Sequence, residues 1–174
     1  MTAVLFYSKS KDKSLAYLSN FTLLSTPIAF RGLRFQSAEH AFQASKYIVS
    51  GRKDIAARFA VGGDITTPQD AKRAGGKAGF QRLEVKLDVD RWQEERVAMM
   101  TGIIVARFRC DPQFRRTLLD LHRRNVRLYH FSWRGGRFWG GLFPKGAEKV
   151  DAAFKGRNML GKIMMNVTKA IAEK

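Results

Sequence analysis

The stretch from Val89 to Phe108 constrains the chain most. Val97, Met100, Ile104 and Phe108 recur at spacings of three and four, with Trp92 and Ile103 beside that stripe. This spacing predicts the longest helix of the protein, about 30 Å at 1.5 Å per residue. Such a helix has an apolar side that other elements must cover. Ser37 is a good N-cap, and AEHAFQASKYIV after it predicts a helix over Ala38–Val49. Short helices are expected at Lys53–Phe59 and Thr67–Ala74, the latter with Pro68 in a favoured first-turn position, and further helices over Pro112–Arg123 and Asn158–Glu173. Residues 4–7, Ile28–Phe35 with Gly32 at a turn, and Val126–Phe131 read as strands, giving a hairpin-like opening. LSNFTLLSTP (18–27) reads as a loop in which Phe21 is a core anchor, Gly75, Gly76 and Gly79 read as a flexible basic loop, and WRGGRFWGG reads as a glycine-rich loop. Helices outnumber strands. The expectation is an α+β fold, mostly helical with a small sheet, and 174 residues suit a single domain over 1–174.

Charge then narrows the partner. Lys and Arg number 32 against 15 Asp and Glu, a net charge of +17, so the partner should be polyanionic: nucleic acid, nucleotide phosphate or acidic lipid. The excess is densest where Arg107, Arg109, Arg115, Arg116, Arg123, Arg124, Arg127, Arg134 and Arg137 face only Asp111 and Asp120. A solvated basic surface that only aids solubility is the alternative. No window approaches the roughly 18 apolar residues of a membrane span, and MTAVLFYSKSKDKS lacks a signal-peptide layout, so a cytoplasmic protein with no membrane partner is expected. A lone cysteine, Cys110, excludes an intramolecular disulfide and a multi-cysteine zinc site. With only His40, His122 and His130 besides, no metal or cofactor is expected. The oligomeric state is left open.

Glu39, Gln43 and Lys46 are the tightest polar set. Spacings of four and three place a carboxylate, an amide and an amine on one side of the predicted helix, which is either one wall of a site or simply its wet face. His40 is rotated about 100° from Glu39 and reads as a packing histidine. FWGG (138–141) and GRNMLG (156–161) place glycines beside large apolar side chains, which lets backbone N–H groups approach a ligand. Trp139 either stacks on a base or ribose or anchors its loop. A Rossmann fingerprint, a P-loop and a G-x-S-x-G elbow are absent, and Cys110 has no recognisable histidine partner.

Taken in order, LSNF (18–21), F-x-S-x-EH-x-FQ-x-x-K (35–46), Trp92/Arg96/Met100, WGG and GRNMLG-x-x-MM resemble the YbiA-like, or NADAR, family over nearly the whole chain. The resemblance implies a compact α+β fold and hydrolysis of N-glycosidic bonds, in ribosylamino intermediates of riboflavin synthesis or in ADP-ribosylated guanine of nucleic acid, without a metal. The family's residues map onto Asn20, Glu39, His40, Gln43, Lys46, Trp139, Gly140, Asn158 and Gly161. Breaking a ribosyl C–N bond builds positive charge on the sugar, so a carboxylate at the reacting carbon, Glu39, stabilises it and can activate water. Lys46 would neutralise a phosphate, pair with Glu39, or attack the open-chain sugar as a Schiff-base nucleophile. Gln43 and Asn158 would orient hydroxyls, and Arg34, Arg134, Arg137 and Arg157 are assigned to substrate phosphates.

The chain also departs from that pattern. Acidic residues common in the family after the strand ending near Leu128 and before the WG pair are replaced by Tyr129-His130-Phe131 and Arg134-Gly135-Gly136, and Thr168 stands where an arginine is common. Either His130, with a pKa near neutrality, takes over proton transfer, or the site has kept binding of ADP-ribose-like nucleotides or nucleic acid and lost catalysis.

Overall fold

The computed structural model describes residues 2–132, 136–144 and 149–173. The fold is mixed α+β and mostly helical, with small two-stranded sheets and no barrel. The chain divides into two compact units, Asn20–Asp111 and a second made of Met1–Ser19 with Pro112–Lys174.

The Asn20–Asp111 unit opens with a hairpin, β2 (Ile28–Phe30) and β3 (Leu33–Phe35), paired antiparallel with Ile28 opposite Phe35. Arg31 and Gly32 both have positive φ, as a tight two-residue hairpin turn requires. Helix α2 (Ala38–Val49) follows with the expected bounds, and the Ser37 side chain accepts the His40 N–H at its first turn. It is the centre of the unit. Ala38, Ala41 and Ala44 are fully buried, and these small side chains let α3 (Lys53–Ala57), α4 (Pro68–Ala74) and α6 (Val89–Cys110) close around it. The apolar stripe of α6 is buried at Met100, Ile104 and Phe108, with Trp92 and Ile103.

One expectation fails here. The glycine-rich stretch after α4 is not a flexible loop but contains helix α5 (Lys77–Arg82). Phe80 is buried and stacks on Tyr47 of α2 with ring centroids 4.3 Å apart. Burying such a ring contributes about 1.5–3 kcal/mol, enough to outweigh the roughly 1 kcal/mol that a glycine costs a helix interior.

In the other unit, β1 (Thr2–Phe6) pairs in parallel with β4 (Val126–His130), Thr2 opposite Val126 and Phe6 opposite His130. The hairpin-like opening is therefore confined to residues 28–35. A short helix that the sequence reading took no account of, α1 (Lys13–Tyr17), is capped by Asp12, which accepts N–H bonds from Ser14 and Leu15. Helix α7 (Pro112–Arg123) and helix α9 (Met159–Ala172) pack on each other and on β4. Short β5 (Gly141–Leu142) and β6 (Lys155–Gly156) pair antiparallel, with α8 (Val150–Ala153) before β6. Among the described residues no helix is long and apolar enough to cross a membrane.

Candidate functional site

Helix α2 brings the Glu39, Gln43 and Lys46 set to one wall of the Asn20–Asp111 unit, and the wall is mostly buried rather than wet. Glu39 is 7% exposed and Gln43 6%. Gln43 Nε2 donates to Glu39 Oε1 over 2.8 Å, the i to i+4 contact that the spacing dictates. Burial pushes the Glu39 carboxyl above its ordinary range, and the Gln43 hydrogen bond and the nearby Lys72 and Lys46 charges only partly offset it. Lys46 Nζ donates to the Gly75 carbonyl over 2.6 Å and lies 5.8 Å from the Trp92 ring centre and 5.9 Å from that of Phe42. Burial lowers the Lys46 pKa, and Glu39 works against that shift. No ion pair closer than 4.0 Å joins Lys46 to Glu39 among the described residues, so the amine's partner is the Gly75 backbone.

Gly75 ends α4 and serves two of these residues at once. Its carbonyl receives Lys46, and its bare Cα faces the Gln43 amide so closely that a Cβ would clash with Gln43 Oε1. Sequence reasoning missed Gly75 and also Lys72, which faces Glu39 electrostatically and sits 5.6 Å from the Phe21 ring centre. Only tertiary packing of α4 on α2 reveals them. Asn20 accepts the Glu39 N–H through its backbone carbonyl, at 2.9 Å, and its Nδ2 points at Met100 Sδ. Two acceptors remain: Asn20 Oδ1 and Gln43 Oε1 are buried and have no hydrogen-bond partner among the described residues. Buried polar atoms in folded proteins are nearly always paired, so two such oxygens close to a buried carboxyl are unusual.

His40 turns away from this wall. Its Nδ1 meets Ser37 Oγ at 2.8 Å, and burial lowers its pKa against a hydrogen bond to the Ile65 backbone, which is the arrangement of a packing histidine. Arg34 lies exposed on β3, where its side chain makes no hydrogen bond or ion pair with the described residues that would direct it to Glu39.

The other predicted residues belong to the second unit. Asn158 precedes α9 with φ +52, a left-handed backbone that asparagine tolerates better than most residues. Its amide clamps β4: Oδ1 accepts the His130 N–H at 2.8 Å and Nδ2 donates to the Leu128 carbonyl at 2.7 Å. Gly161 lets α9 approach that strand, since a Cβ there would clash with the Leu128 carbonyl. The loop amides at 158–160 do not reach outwards. They donate to the Gly140, Phe138 and Trp139 carbonyls, so the expected approach of these N–H groups to a ligand is replaced by a backbone clasp. Trp139 is half-buried and packs edge-on against Phe138, and Arg157 lies 5.6 Å from the Phe138 ring centre. Arg137 and Arg157 are exposed, and Arg134 lies outside the described residues. The His130 ring packs on Phe6, and a Cβ on Gly140 would come within 2.8 Å of its Nδ1. Asp151, not singled out from sequence, pairs with Arg127 at 2.5 Å and bonds the Tyr129 hydroxyl beside β4. Among the described residues no cluster of three His, Cys, Asp or Glu side chains could hold a metal ion.

Comparison with known proteins adds the family. The NMR structure of the E. coli protein YbiA superposes with a TM-score of 0.71 at 24% identity, covering 99% of this chain and 86% of that one, which establishes a shared fold. No curated protein sequence matches the chain. The sequence model of the NADAR domain matches residues 5–172, and the chain belongs to the NADAR domain family.

Proposed function

We propose that the protein is an N-glycosyl hydrolase cleaving a ribosyl C–N bond, in ADP-ribosylated guanine of nucleic acid or in a phosphorylated ribosylaminopyrimidine, without a metal or cofactor and in the cytoplasm. The observation that carries this reading is Glu39, a buried carboxyl held above its ordinary pKa beside two unpartnered amide oxygens. A carboxyl whose pKa is shifted towards neutrality is suited to give and take a proton. Protonated Glu39 gives its proton to the leaving nitrogen as the C1′–N bond breaks and its electron pair moves to nitrogen. The carboxylate so formed faces the cationic sugar, then takes a proton from water as the water oxygen bonds C1′. Lys46 and Lys72 stabilise that carboxylate, and Gln43 and Asn20 receive sugar hydroxyls. Lys46 acts here as a charge fixed by Gly75 rather than as a nucleophile. His130 is proposed as a second proton-transfer group, in place of the acid common in the family.

The test is release of sugar, followed by mass spectrometry, from an ADP-ribosylated guanine oligonucleotide and from a ribosylaminopyrimidine phosphate, with wild type, Glu39→Gln and His130→Ala. Release by wild type and a loss of about 100-fold or more in Glu39→Gln are expected, with substrate binding retained. Undiminished turnover by Glu39→Gln would remove Glu39 from the mechanism. The replaced acids near His130 and Arg134 favour one other reading, a binding protein, and that is the outcome if wild type binds either substrate and releases nothing.

A further inference from the structure

The apolar stripe of α6 meets the α2 wall at two polar groups. Met100 Sδ lies 3.8 Å from Asn20 Nδ2, and Trp92, two turns or about 12 Å earlier on the helix, has its ring centre 5.8 Å from Lys46 Nζ. As packing alone, the Trp92 position asks only for a large apolar side chain. The amine asks for more. Lys46 is half-buried, and the Gly75 carbonyl takes one of its three N–H groups. Phe42 supplies a second ring, 5.9 Å from Nζ, and the two rings are tilted 55° to each other with centres 5.1 Å apart, so they make a corner beside the amine. Both distances fall within the roughly 6 Å over which the negative face of a ring attracts a cation, and both rings are buried, where that attraction is strongest. An aliphatic side chain at 92 would offer the charge nothing in exchange for the water it has lost.

We propose that Trp92 is a positioning residue of the site: its ring, with that of Phe42 and the Gly75 carbonyl, forms a box that holds the Lys46 side chain in place as an ammonium. The rings work against the burial that lowers the Lys46 pKa, and Glu39 works in the same direction as the rings. Of the charged groups on the elements packed around α2, Arg52 is paired with Asp54 at the start of α3, Arg73 with Asp70 on α4 and Arg91 with Glu95 on α6, while Lys72 of α4 faces Glu39. The box therefore acts on Lys46 through ring faces rather than through a second carboxylate. Its use in the reaction rests on the glycosidase reading: an ammonium fixed at this point stabilises the Glu39 carboxylate once that residue has given up its proton. The box itself does not depend on that reading.

The test follows the titration of Lys46 by NMR in the whole chain, carrying lysine labelled with carbon-13 at Cε, with the Lys46 signal assigned by its loss in Lys46→Met. Tetrafluorotryptophan placed at position 92 keeps the shape of the ring nearly unchanged and removes its negative face, so the protein stays folded while the attraction is lost. It should lower the pH at which Lys46 titrates by about half a pH unit or more, and Trp92→Leu by about one pH unit. Trp92→Phe, which restores a ring, should shift it less than Trp92→Leu, and Lys53, exposed on α3, should not move. If the chain hydrolyses either substrate, the high-pH limb of its rate profile should move down with the Lys46 titration. An unchanged Lys46 titration in the fluorinated protein, or equal shifts in Trp92→Phe and Trp92→Leu, overturns the proposal. If wild type releases no sugar while the titration shifts as stated, the glycosidase reading falls and the box stands. If wild type releases sugar and the titration does not shift, the box alone falls.

Discussion

Glu39→Gln should make the protein more stable as well as less active, and the pH at which it does so follows from the burial of the carboxyl. Glu39 in the fold titrates above its ordinary value of 4.5, chiefly because burial disfavours its charge. Below pH 4.5 folded and unfolded chains are both protonated there, so the residue costs nothing. As pH rises past 4.5 the unfolded chain ionises first, the folded chain holds the extra proton, and stability falls until the folded value is passed. Each pKa unit of the shift is worth about 1.4 kcal/mol, and an uncompensated buried polar group costs about 1–3 kcal/mol. The substituted glutamine would keep an acceptor for Gln43 Nε2 and carry no charge, so it removes that cost while preserving the contact. At neutral pH the variant should therefore be about 1–3 kcal/mol more stable, a Tm rise of about 2–10 °C for a chain of this size. The difference should vanish by about pH 4. The assay is thermal unfolding of both proteins from pH 4 to 8. Parallel Tm curves across that range would falsify the claim that Glu39 is a desolvated acid, and with it the reason for assigning it proton transfer.

The other predictions concern the groups that hold the two units in shape. Gly75→Ala sets a methyl against the whole Gln43 side chain, its Cβ included, so it should displace Gln43 and break the bond that holds the Glu39 pKa down; the limb of the pH–rate profile due to Glu39 should move to higher pH. Gly161→Ala presses on the Leu128 carbonyl, which is backbone and cannot swing aside, and should cost about 1–3 kcal/mol in urea unfolding. Arg107 is fully buried and pairs with Asp111 at 3.3 Å, so Arg107→Ala breaks a buried ion pair and empties the space its side chain fills, and should cost about 3–5 kcal/mol in urea unfolding.

How much of the fold could be read from the sequence depended on whether local signals agreed with each other. In α2 a serine N-cap, an unbroken helical run and a following glycine coincide, and its ends lie where the sequence put them. The α6 stripe carried enough periods to fix the helix to within two residues at its end. α1 and α5 are five and six residues long, too short to show a period, and α5 exists because Phe80 meets a ring thirty-odd positions away. The strands 4–7 and 126–131 were visible singly, but their parallel pairing joins segments more than a hundred residues apart, and nothing in either segment encodes that partner.

The candidate site separates along a different line. A motif marks residues that resist replacement without saying whether a backbone or a ligand needs them, and hydrogen-bond accounting does say. Asn158 applies both amide atoms to β4, and Gly161 is small because α9 must lie against Leu128, so the architecture of one unit accounts for both. Asn20 and Gln43 carry the same amide chemistry, yet each keeps a buried oxygen that the fold leaves unsatisfied. An unsatisfied buried acceptor costs about 1–3 kcal/mol. Spacing alone could place Gln43 next to Glu39, but it could not show which of the two amide atoms Glu39 would occupy. Because Glu39 takes Nε2, the oxygen is left over, and this leftover acceptor is what the proposed sugar hydroxyl would meet.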